Sequence, residues 1–426
     1  SKLDWTIRSG LIFVLCVLLI ILPAIAIFYF SGLSPLLIFS FFCFMALPFI
    51  VVFVDILISP LVLFQKNKIV NHAKKIVQSN KQNGLITIGI TGSFGKTSMK
   101  NVLVNISGEK YKIFTFHGNI NTDIGTSRYL IKHQERISKA NILISEMGAY
   151  KKGDIKKLCD IVNPDYSITT SIGESHLERF GSFKNIVSAK FELANATKKK
   201  IFLNICDENI KKYSDLKIDN NIEVIKVCGN KEVKNMRYLE NFAGISFEYS
   251  GQIFKTKIIA DYIIDFSIIA FKIANELKLN ISEMKTGFEK MDFVPHRLEV
   301  IKNKKLNRTV IDDSYNGNYA GFLIGLDILN RSNGRKIVLT PGIVELGKKR
   351  SKEIHFCLSE KYAENVDLTL LVKNKNTDFI VDKFKKIGYN SFKIYKTVKE
   401  AHSDLANVLK NGDTIIFQND ITDNYL

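Results

Sequence analysis

A glycine-rich run, Gly89-Ile-Thr-Gly-Ser-Phe-Gly-Lys-Thr97, lies between an apolar β-type run at 85–90 and a helical pattern. Strand, glycine loop and helix start in this order form a phosphate cradle, because glycines let the backbone approach an anion and the loop and helix amides point toward it. In such a loop Lys96 can reach the β- and γ-phosphates, and the Thr97 hydroxyl can hold Mg²⁺. The spacing departs from the general P-loop pattern, which has a glycine where this chain has Ile90. The run predicts a protein that uses ATP, with a chance Gly-Lys-Thr in another kind of loop as the alternative.

Two long uncharged apolar runs precede this loop. Residues 11–30 are long enough to span a bilayer, and a second run at 36–54 follows a break at 31–35. A cleaved signal peptide and a buried soluble hairpin are the alternatives, but the length of the first run and the presence of the second favour a membrane hairpin. Lysine and arginine flank the outer ends of the runs and are absent from the turn, which predicts a two-pass protein of the inner (plasma) membrane with its catalytic domains in the cytoplasm. The flanking cations are Lys2, Arg8, Lys66, Lys68, Lys74 and Lys75.

Composition limits the remaining possibilities. The chain has 426 residues, 46% of them hydrophobic, which is enough for two or three domains. Its formal net charge is +18, but the lysines are spread along the chain, so an anionic membrane surface or anionic substrates are favoured over nucleic acid. No cysteine pair has Cys-x-x-Cys spacing, so neither a zinc site nor a disulfide framework is predicted and the pattern fits a reducing compartment. The cysteines are at 16, 43, 159, 206, 228 and 357.

From residue 85 onward, short apolar runs alternate with amphipathic helical stretches. This alternation predicts two α/β domains, each with a parallel sheet and helices on both faces. We expect strands at 85–90, 112–116, 141–146, 166–170 and 200–204, then at 309–312, 336–340, 368–372 and 414–417. Shorter runs at 223–257 predict an antiparallel addition. The expected division is a transmembrane hairpin at 1–66, a central domain at 67–297 and a C-terminal domain at 298–426.

Polar residues follow several of these strands, at the sheet edge where ligands bind in open α/β folds. Glu146 ends one strand, and a carboxylate there can bind Mg²⁺ directly or through water. His176 lies in a loop after another strand, and the segment Asp312-Asp-Ser-Tyr-Asn316 follows a third. Each has an alternative interpretation. Glu146 could be an exposed charge at a strand end, His176 a structural histidine, and the segment 312–316 an Asp/Asn turn.

Several segments, in order along the chain, resemble motifs of the Mur ligases, particularly of the branch that adds D-alanyl-D-alanine. They are Gly89 to Thr97, Gly118-Asn-Ile-Asn-Thr-Asp-Ile-Gly125, Ser145-Glu-Met147, Asn163-Pro-Asp165, Ile172 to Ser182, Ala189-Lys190, Pro295-His-Arg-Leu-Glu-Val300 and Asp312 to Asn316. The resemblance implies a central P-loop ATPase domain and a C-terminal Rossmann-like domain. The family usually begins with a soluble domain that binds the uridine nucleotide of its substrate, and we expect the membrane hairpin to stand in its place.

The resemblance also implies roles. ATP would contact Gly92, Ser93, Gly95, Lys96, Thr97, Ser98, Arg297, Asp313 and Asn316. Mg²⁺ would be held by Thr97, Glu146, His176 and Lys190, with Lys190 carbamoylated so that its ammonium becomes an anionic ligand. The catalytic residues would be Lys96, His176 and Lys190. The acceptor side would be lined by Asn119, Asn121 and Thr122.

The implied activity is ATP-dependent ligation in cell-envelope synthesis. A carboxylate acceptor would be activated as an acyl phosphate and joined to the amine of an amino acid or dipeptide. A poly-γ-glutamate synthetase, or a ligase acting on a lipid-linked or polysaccharide carboxylate, is the alternative enzyme. A membrane scaffold that binds nucleotide without turnover is the non-enzymatic alternative, but Lys96, Glu146 and His176 are all present.

Overall fold

The computed structural model describes residue 5 and residues 7–118, 120–175, 177–218, 222–303, 305–315, 317–343, 346 and 348–419. The chain divides into two compact units, Ser1–Lys75 and Ile76–Leu426. The predicted boundaries at 66 and 297 stay predictions.

The first unit consists of two helices, α1 (Ile7–Ser31) and α2 (Leu33–Gln82), of which α2 continues into the second unit. Both are long and apolar enough to cross a membrane. The break predicted at 31–35 is confined to Gly32, which has the left-handed φ of 80° that glycine adopts without a steric penalty. The second helix continues well past the apolar run at 36–54 and ends at Gln82. Between the two helices, the Arg8 guanidinium donates to both carboxylate oxygens of Asp55, at 2.7 and 2.8 Å.

The second unit contains a central parallel sheet. Its strands are β1 (Ile86–Thr91), β2 (Ile113–Thr115), β3 (Ile142–Glu146), β4 (Tyr166–Thr169), β5 (Lys200–Asn204) and β6 (Glu223–Val227), in the spatial order β2-β3-β1-β4-β5-β6. The first five confirm the predicted series. The prediction for 223–257 is wrong at its start, because β6 pairs parallel to β5. The run is short like those that follow it, so the sequence did not separate it from the antiparallel strands.

A second sheet lies toward the C-terminus. Its strands are β10 (Glu299–Asn303), β11 (Arg308–Asp313), β12 (Lys336–Gly342), β13 (Leu368–Val372), β14 (Phe392–Tyr395) and β15 (Thr414–Asn419), in the order β10-β11-β15-β12-β13-β14. Only β10 is antiparallel to its neighbour among the described strands of this sheet. The sequence did not predict β10 and β14. Three further strands, β7 (Lys234–Leu239), β8 (Gly244–Tyr249) and β9 (Gln252–Thr256), form the predicted antiparallel addition.

Helices cover these sheets. They are α3 (Lys96–Gly108), α4 (Asp123–Lys132), α5 (Gln134–Ile137), α6 (Asp154–Val162), α7 (Leu177–Phe180), α8 (Phe183–Ala196), α9 (Glu208–Lys217), α10 (Tyr262–Glu276), α11 (Ile281–Glu289), α12 (Tyr319–Leu329), α13 (Lys348–Asn365), α14 (Thr377–Ile387) and α15 (Val398–Val408). The apolar helix α10 is buried along most of its length and packs with α3 in the largest hydrophobic cluster. That packing fixes the helix that begins at the glycine loop.

The cysteines depart from the sequence prediction. Cys206 follows β5 and Cys228 follows β6, and the two form a disulfide although 22 residues separate them in the chain. Their spacing along the chain carried no signal, because the parallel pairing of β5 and β6 brings them together.

Candidate active site

The glycine loop connects β1 to α3 at the carboxyl edge of the central sheet. Gly95 precedes α3 with a φ of 80°, and a Cβ there would lie 2.5 Å from the Phe266 ring of α10. A Cβ on Gly92 would overlap the hydroxyl oxygen of Thr170. Both positions therefore require glycine, because each has a positive φ and leaves no room for a Cβ.

Residues 170–173, after β4, hold this loop in place. Ser171 accepts from the Phe94 amide at 2.8 Å and donates to its carbonyl at 2.9 Å. Ser93 donates to the Gly173 carbonyl at 3.0 Å and accepts from its amide at 2.8 Å. The Thr170 hydroxyl also donates to the Phe94 carbonyl, at 2.6 Å. Because each contact uses a side chain on one loop and a backbone group on the other, the two loops form one rigid support.

Two lysines converge on the loop. The Lys96 ammonium donates to the Gly92 carbonyl at 2.7 Å, and the Lys190 ammonium, from α8, donates to the same oxygen at 3.1 Å. Burial lowers the pKa of Lys96 to about 8, with Glu146 opposing the shift. Burial, and then the charge of Lys96, lowers the pKa of Lys190 well below its usual value. Lys190 is only 4% exposed, unlike most lysines on amphipathic helices, which face the solvent.

Glu146 at the end of β3 faces the start of α3. The Thr97 hydroxyl donates to one carboxylate oxygen at 2.9 Å, and the Lys100 ammonium lies 2.7 Å from the other. This set of hydroxyl and carboxylate oxygens fits a hard divalent cation such as Mg²⁺. Lys100 was not predicted, although its position one helical turn after Lys96 places it on the same face.

The junction between the two domains brings a cation to this edge. The Arg297 guanidinium lies 3.5 Å from the Thr97 hydroxyl and 4.6 Å from the centre of the Tyr315 ring. Its neighbours His296 and Leu298 have φ values of 61° and 51°, a left-handed backbone that such residues rarely adopt. Local strain of this kind persists where the surrounding structure demands it, and it clusters at functional sites.

Asp313 completes this junction. Burial raises the pKa of its carboxyl to about 7, and Arg297 opposes the shift. Burial raises the pKa of Tyr262 on α10 to about 12, with the Asp313 charge adding to the rise and a hydrogen bond with Ser98 opposing it. Arg297 and Tyr262 thus contact Thr97 and Ser98 in the first turn of α3, and Asp313 lies close to both of them.

Two of the three predicted acceptor residues, Asn121 and Thr122, lie in the described part of the chain, and they make different contacts. Asn121 packs against Gly148, where a Cβ would lie 2.8 Å from its amide nitrogen. The Thr122 hydroxyl accepts from the Gly125 amide at 3.2 Å and caps α4, which gives it a structural role as well. Asn119, His176 and Asn316 lie outside the described residues.

A contact missed by sequence reasoning joins the two domains. The Arg350 guanidinium of α13 donates to the Glu174 carboxylate at 2.7 Å, in the loop just before His176. No local pattern could reveal it, because the partners are 176 residues apart.

Known proteins resemble this chain in both of its α/β domains. Residues 90–275 match the Mur ligase middle domain, and residues 296–418 match the Mur ligase glutamate ligase domain. The UDP-N-acetylmuramoyl-tripeptide–D-alanyl-D-alanine ligase of Borreliella burgdorferi is 26% identical over 300 residues, which cover 68% of this chain and 63% of that protein. The same enzyme of Bacillus subtilis is 26% identical over 273 residues, which cover 62% of this chain and 57% of that protein. The chain therefore matches less than two thirds of the length of these two relatives.

Solved structures show the same fold. MurF from Acinetobacter baumannii aligns with a TM-score of 0.69 and 20% identity, covering 83% of this chain and 78% of that one. MurF ligase from Thermotoga maritima in complex with ADP aligns with a TM-score of 0.66 and 23% identity. The alignment covers 82% of this chain and 79% of that one. The resemblance inferred from the motifs is confirmed, as is the predicted pair of α/β domains.

Proposed function

Because this chain belongs to the Mur ligase family, we propose that it is an ATP-dependent, ADP-forming ligase that joins a carboxylate to an amine. The observation that carries the proposal is the convergence of Lys96 and Lys190 on the Gly92 carbonyl, beside the Thr97–Glu146 pair. A protein that only bound nucleotide would not need a second buried lysine at the phosphate loop. The non-enzymatic alternative is disfavoured for this reason.

ATP is proposed to bind with its phosphates over the loop between β1 and α3. Loop amides and the positive end of α3 would bind the phosphate oxygens, and Lys96 would leave the Gly92 carbonyl for the β- and γ-phosphates. Gly92, Ser93, Gly95, Thr97 and Ser98 would shape the cradle. Arg297 would add a cation from the junction of the two domains, with Asp313 and Asn316 facing the nucleotide from the C-terminal domain.

Mg²⁺ is proposed to be held by Thr97 and Glu146, and when bound it would neutralise phosphate charge. Glu146 now pairs with Lys100, so the lysine would have to yield the carboxylate oxygen. Lys190 and His176 are proposed as ligands of a second cation. Burial lowers the pKa of Lys190 well below its usual value, which favours the uncharged amine, the form that adds carbon dioxide to become a carbamate anion.

The reaction would proceed in two steps. A carboxylate oxygen of the acceptor attacks the γ-phosphorus of ATP, the bond to the β–γ bridging oxygen breaks, and ADP leaves. The amine nitrogen of the second substrate then attacks the acyl carbon, releasing phosphate and a proton to form the amide. Lys96 and Arg297 would stabilise the charge that develops on the phosphoryl oxygens. Approach of α13 to the central domain, through Arg350 and Glu174, would help to exclude water from the acyl phosphate.

The first candidate substrates are those named for the relatives: a UDP-N-acetylmuramoyl tripeptide as acceptor and D-alanyl-D-alanine as amine. Asn119, Asn121 and Thr122 would line the acceptor side. The test is ATP-dependent phosphate release by the full chain with this pair, together with detection of the amide product by mass spectrometry. Turnover that requires both substrates supports this pair as the substrates. No turnover with the pair excludes it.

A second candidate acceptor is lipid-linked or polymeric, including a poly-γ-glutamate chain or a polysaccharide carboxylate. The apolar helices α1 and α2 and the net charge of +18 favour it, since together they suit an anionic substrate at a membrane surface. A phosphate-release screen of amino acids and dipeptides against nucleotide-linked, lipid-linked and polyglutamate acceptors separates the candidates. Glutamate-dependent elongation of a polyanion identifies the synthetase activity.

We also propose that α1 and α2 anchor the enzyme in the inner membrane with two passes and a cytoplasmic catalytic body. The cations flanking the hairpin support this orientation. Fractionation of cells with and without carbonate extraction, followed by protease digestion of sealed inverted vesicles, tests it. A cytoplasmic body is digested in inverted vesicles and protected in right-side-out spheroplasts.

A further inference from the structure

We propose that Cys206 and Cys228 form a reversible thiol–disulfide exchange site that controls nucleotide binding at the P-loop. The inference rests on the proposed nucleotide binding but not on ligation. Both side chains are half-buried, so a small thiol reagent can reach them, and their Cα atoms are 4.9 Å apart, within bonding range. In the reducing compartment proposed for the catalytic body, such a pair alternates between dithiol and disulfide rather than staying permanently oxidised.

The Cys206 side of the bridge leads to the P-loop through side-chain hydrogen bonds. On either side of the turn, Asn204 at the end of β5 donates to the Thr170 carbonyl at 3.1 Å, and Asn209 at the start of α9 donates to the Ile172 carbonyl at 2.7 Å. Asp207 accepts from the Ile172 amide at 3.2 Å. The turn that contains Cys206 therefore fixes residues 170–173, which in turn hold Ser93 and Phe94 of the P-loop.

The Cys228 side leads to the same loop by a different route. Gly229 donates its amide to the Asp265 carboxylate at 2.8 Å, and its Cα packs so closely on α10 that a Cβ would lie 2.6 Å from the Asp265 Cα. The next residue of α10, Phe266, is the ring that covers Gly95 at the start of α3. The disulfide thus joins two supports of the P-loop, one through residues 170–173 and one through α10.

The exchange needs an oxidised low-molecular-weight disulfide as co-reactant. One cysteine thiolate attacks a sulfur of that disulfide, forms a mixed disulfide and releases one small thiol. The second cysteine thiolate then attacks the mixed disulfide and releases the other small thiol. The two cysteines lose two electrons and two protons, which the two released thiols carry.

Reduction frees the two strand ends and lets the turn after β5 move relative to α10. We therefore expect the dithiol form to bind nucleotide at least about fivefold more weakly than the disulfide form, the lower end of ordinary coupling between sites. Cys357 offers a matched control, because it is a free and exposed cysteine on α13, outside the bridge.

The experiment equilibrates the full chain in glutathione buffers of graded redox ratio and measures three quantities. These are the cysteine redox state by differential alkylation and mass spectrometry, the affinity for ADP, and hydrogen exchange in peptides that cover 92–98 and 170–173. The Cys206→Ser and Cys228→Ser variants should bind ADP like the dithiol form and lose the redox response, whereas Cys357→Ser should keep it.

Equal ADP affinity and equal hydrogen exchange in the two redox forms would overturn the proposal. So would failure of the two cysteines to oxidise in glutathione disulfide, or the release of a bound metal on alkylation, since Cys206, Cys228 and Asp265 are close enough to share one. If neither form binds ADP, the proposed nucleotide site itself is wrong, and the hydrogen-exchange difference alone decides whether the bridge supports the loop.

Discussion

Lys96 and Lys190 donate to one acceptor, the Gly92 carbonyl oxygen, at 2.7 and 3.1 Å. Two ammonium groups this close repel each other, and burial removes the water that would screen them. Glu146 favours the charged form of Lys96, whereas the charge of Lys96 disfavours the charged form of Lys190. Of the two, Lys96 therefore keeps its charge more readily and can bind phosphate as a cation, whereas Lys190 is shifted toward the neutral amine that can be carbamoylated.

Replacing Lys190 by glutamine should lower kcat for phosphate release by at least about a hundredfold, the usual cost of removing a group that stabilises charge in the transition state. The wild-type protein should also lose activity in buffer freed of carbon dioxide and regain it when bicarbonate is added. Steady-state kinetics under both conditions provide the measurement.

The matched control is Lys184→Gln, an exposed lysine on the same helix, α8, which should leave both kcat and the bicarbonate response unchanged. Activity of Lys190→Gln close to that of the wild type would show that Lys190 has only a structural role. Normal wild-type turnover without carbon dioxide would exclude the carbamate.

Glu146→Gln should raise the Mg²⁺ concentration needed for half-maximal activity by about 10- to 100-fold, because the amide has no negative charge to offer the cation. The comparison variant is Lys100→Gln, which removes the competing ammonium and keeps the carboxylate. It should need the same Mg²⁺ concentration or less. Titration of activity against Mg²⁺ distinguishes the two, and an unchanged Mg²⁺ requirement in Glu146→Gln would place the metal elsewhere.

The sequence predicted the parts of this site that depend on local pattern. Lys96 and Thr97 follow from the strand, glycine loop and helix start, and Glu146 follows from its position at the end of an apolar strand. The burial of Lys190 could not be predicted in the same way, because a lysine on an amphipathic helix is usually exposed. Only the packing of α8 against the glycine loop places it inside.

The contacts that sequence reasoning missed are long-range. Ser171 reaches Phe94 across 77 residues, and Arg350 reaches Glu174 across 176. Serine and arginine at these positions carry no local signal, since their roles depend on the order of the strands. The same reason explains the Cys206–Cys228 bridge, which exists because β5 and β6 are neighbours.

Arg350→Gln should reduce kcat/KM for ATP by about two- to fivefold while changing the free energy of unfolding by less than about 1 kcal/mol. The Arg350–Glu174 pair is partly exposed, at 43% and 34%, so its contribution to stability is small. Its place between α13 and the loop after β4 nevertheless makes it a contact between the two domains. Kinetics and urea unfolding of the same preparations measure the two effects.

Glu353→Gln is the control for this variant, because it breaks only the second ion pair of Arg350, within α13. It should leave kcat/KM unchanged. A double-mutant cycle with Glu174→Gln should show coupling between 174 and 350, and additive effects would mean that the contact does not contribute to catalysis.

Asp313 should make the protein less stable as pH rises from about 4 to about 7. Burial raises the pKa of its carboxyl from 3.8 to about 7 in the folded state, so in this window the folded protein keeps a proton that the unfolded chain has lost. The free energy of unfolding therefore falls with rising pH. Asp313→Asn should remove this part of the pH dependence, as measured by urea unfolding across the window, whereas Asp382→Asn, an exposed carboxylate on α14, should not. An unaltered pH profile in Asp313→Asn would mean that the carboxyl is ionised in the folded protein and pairs with Arg297 as a charge.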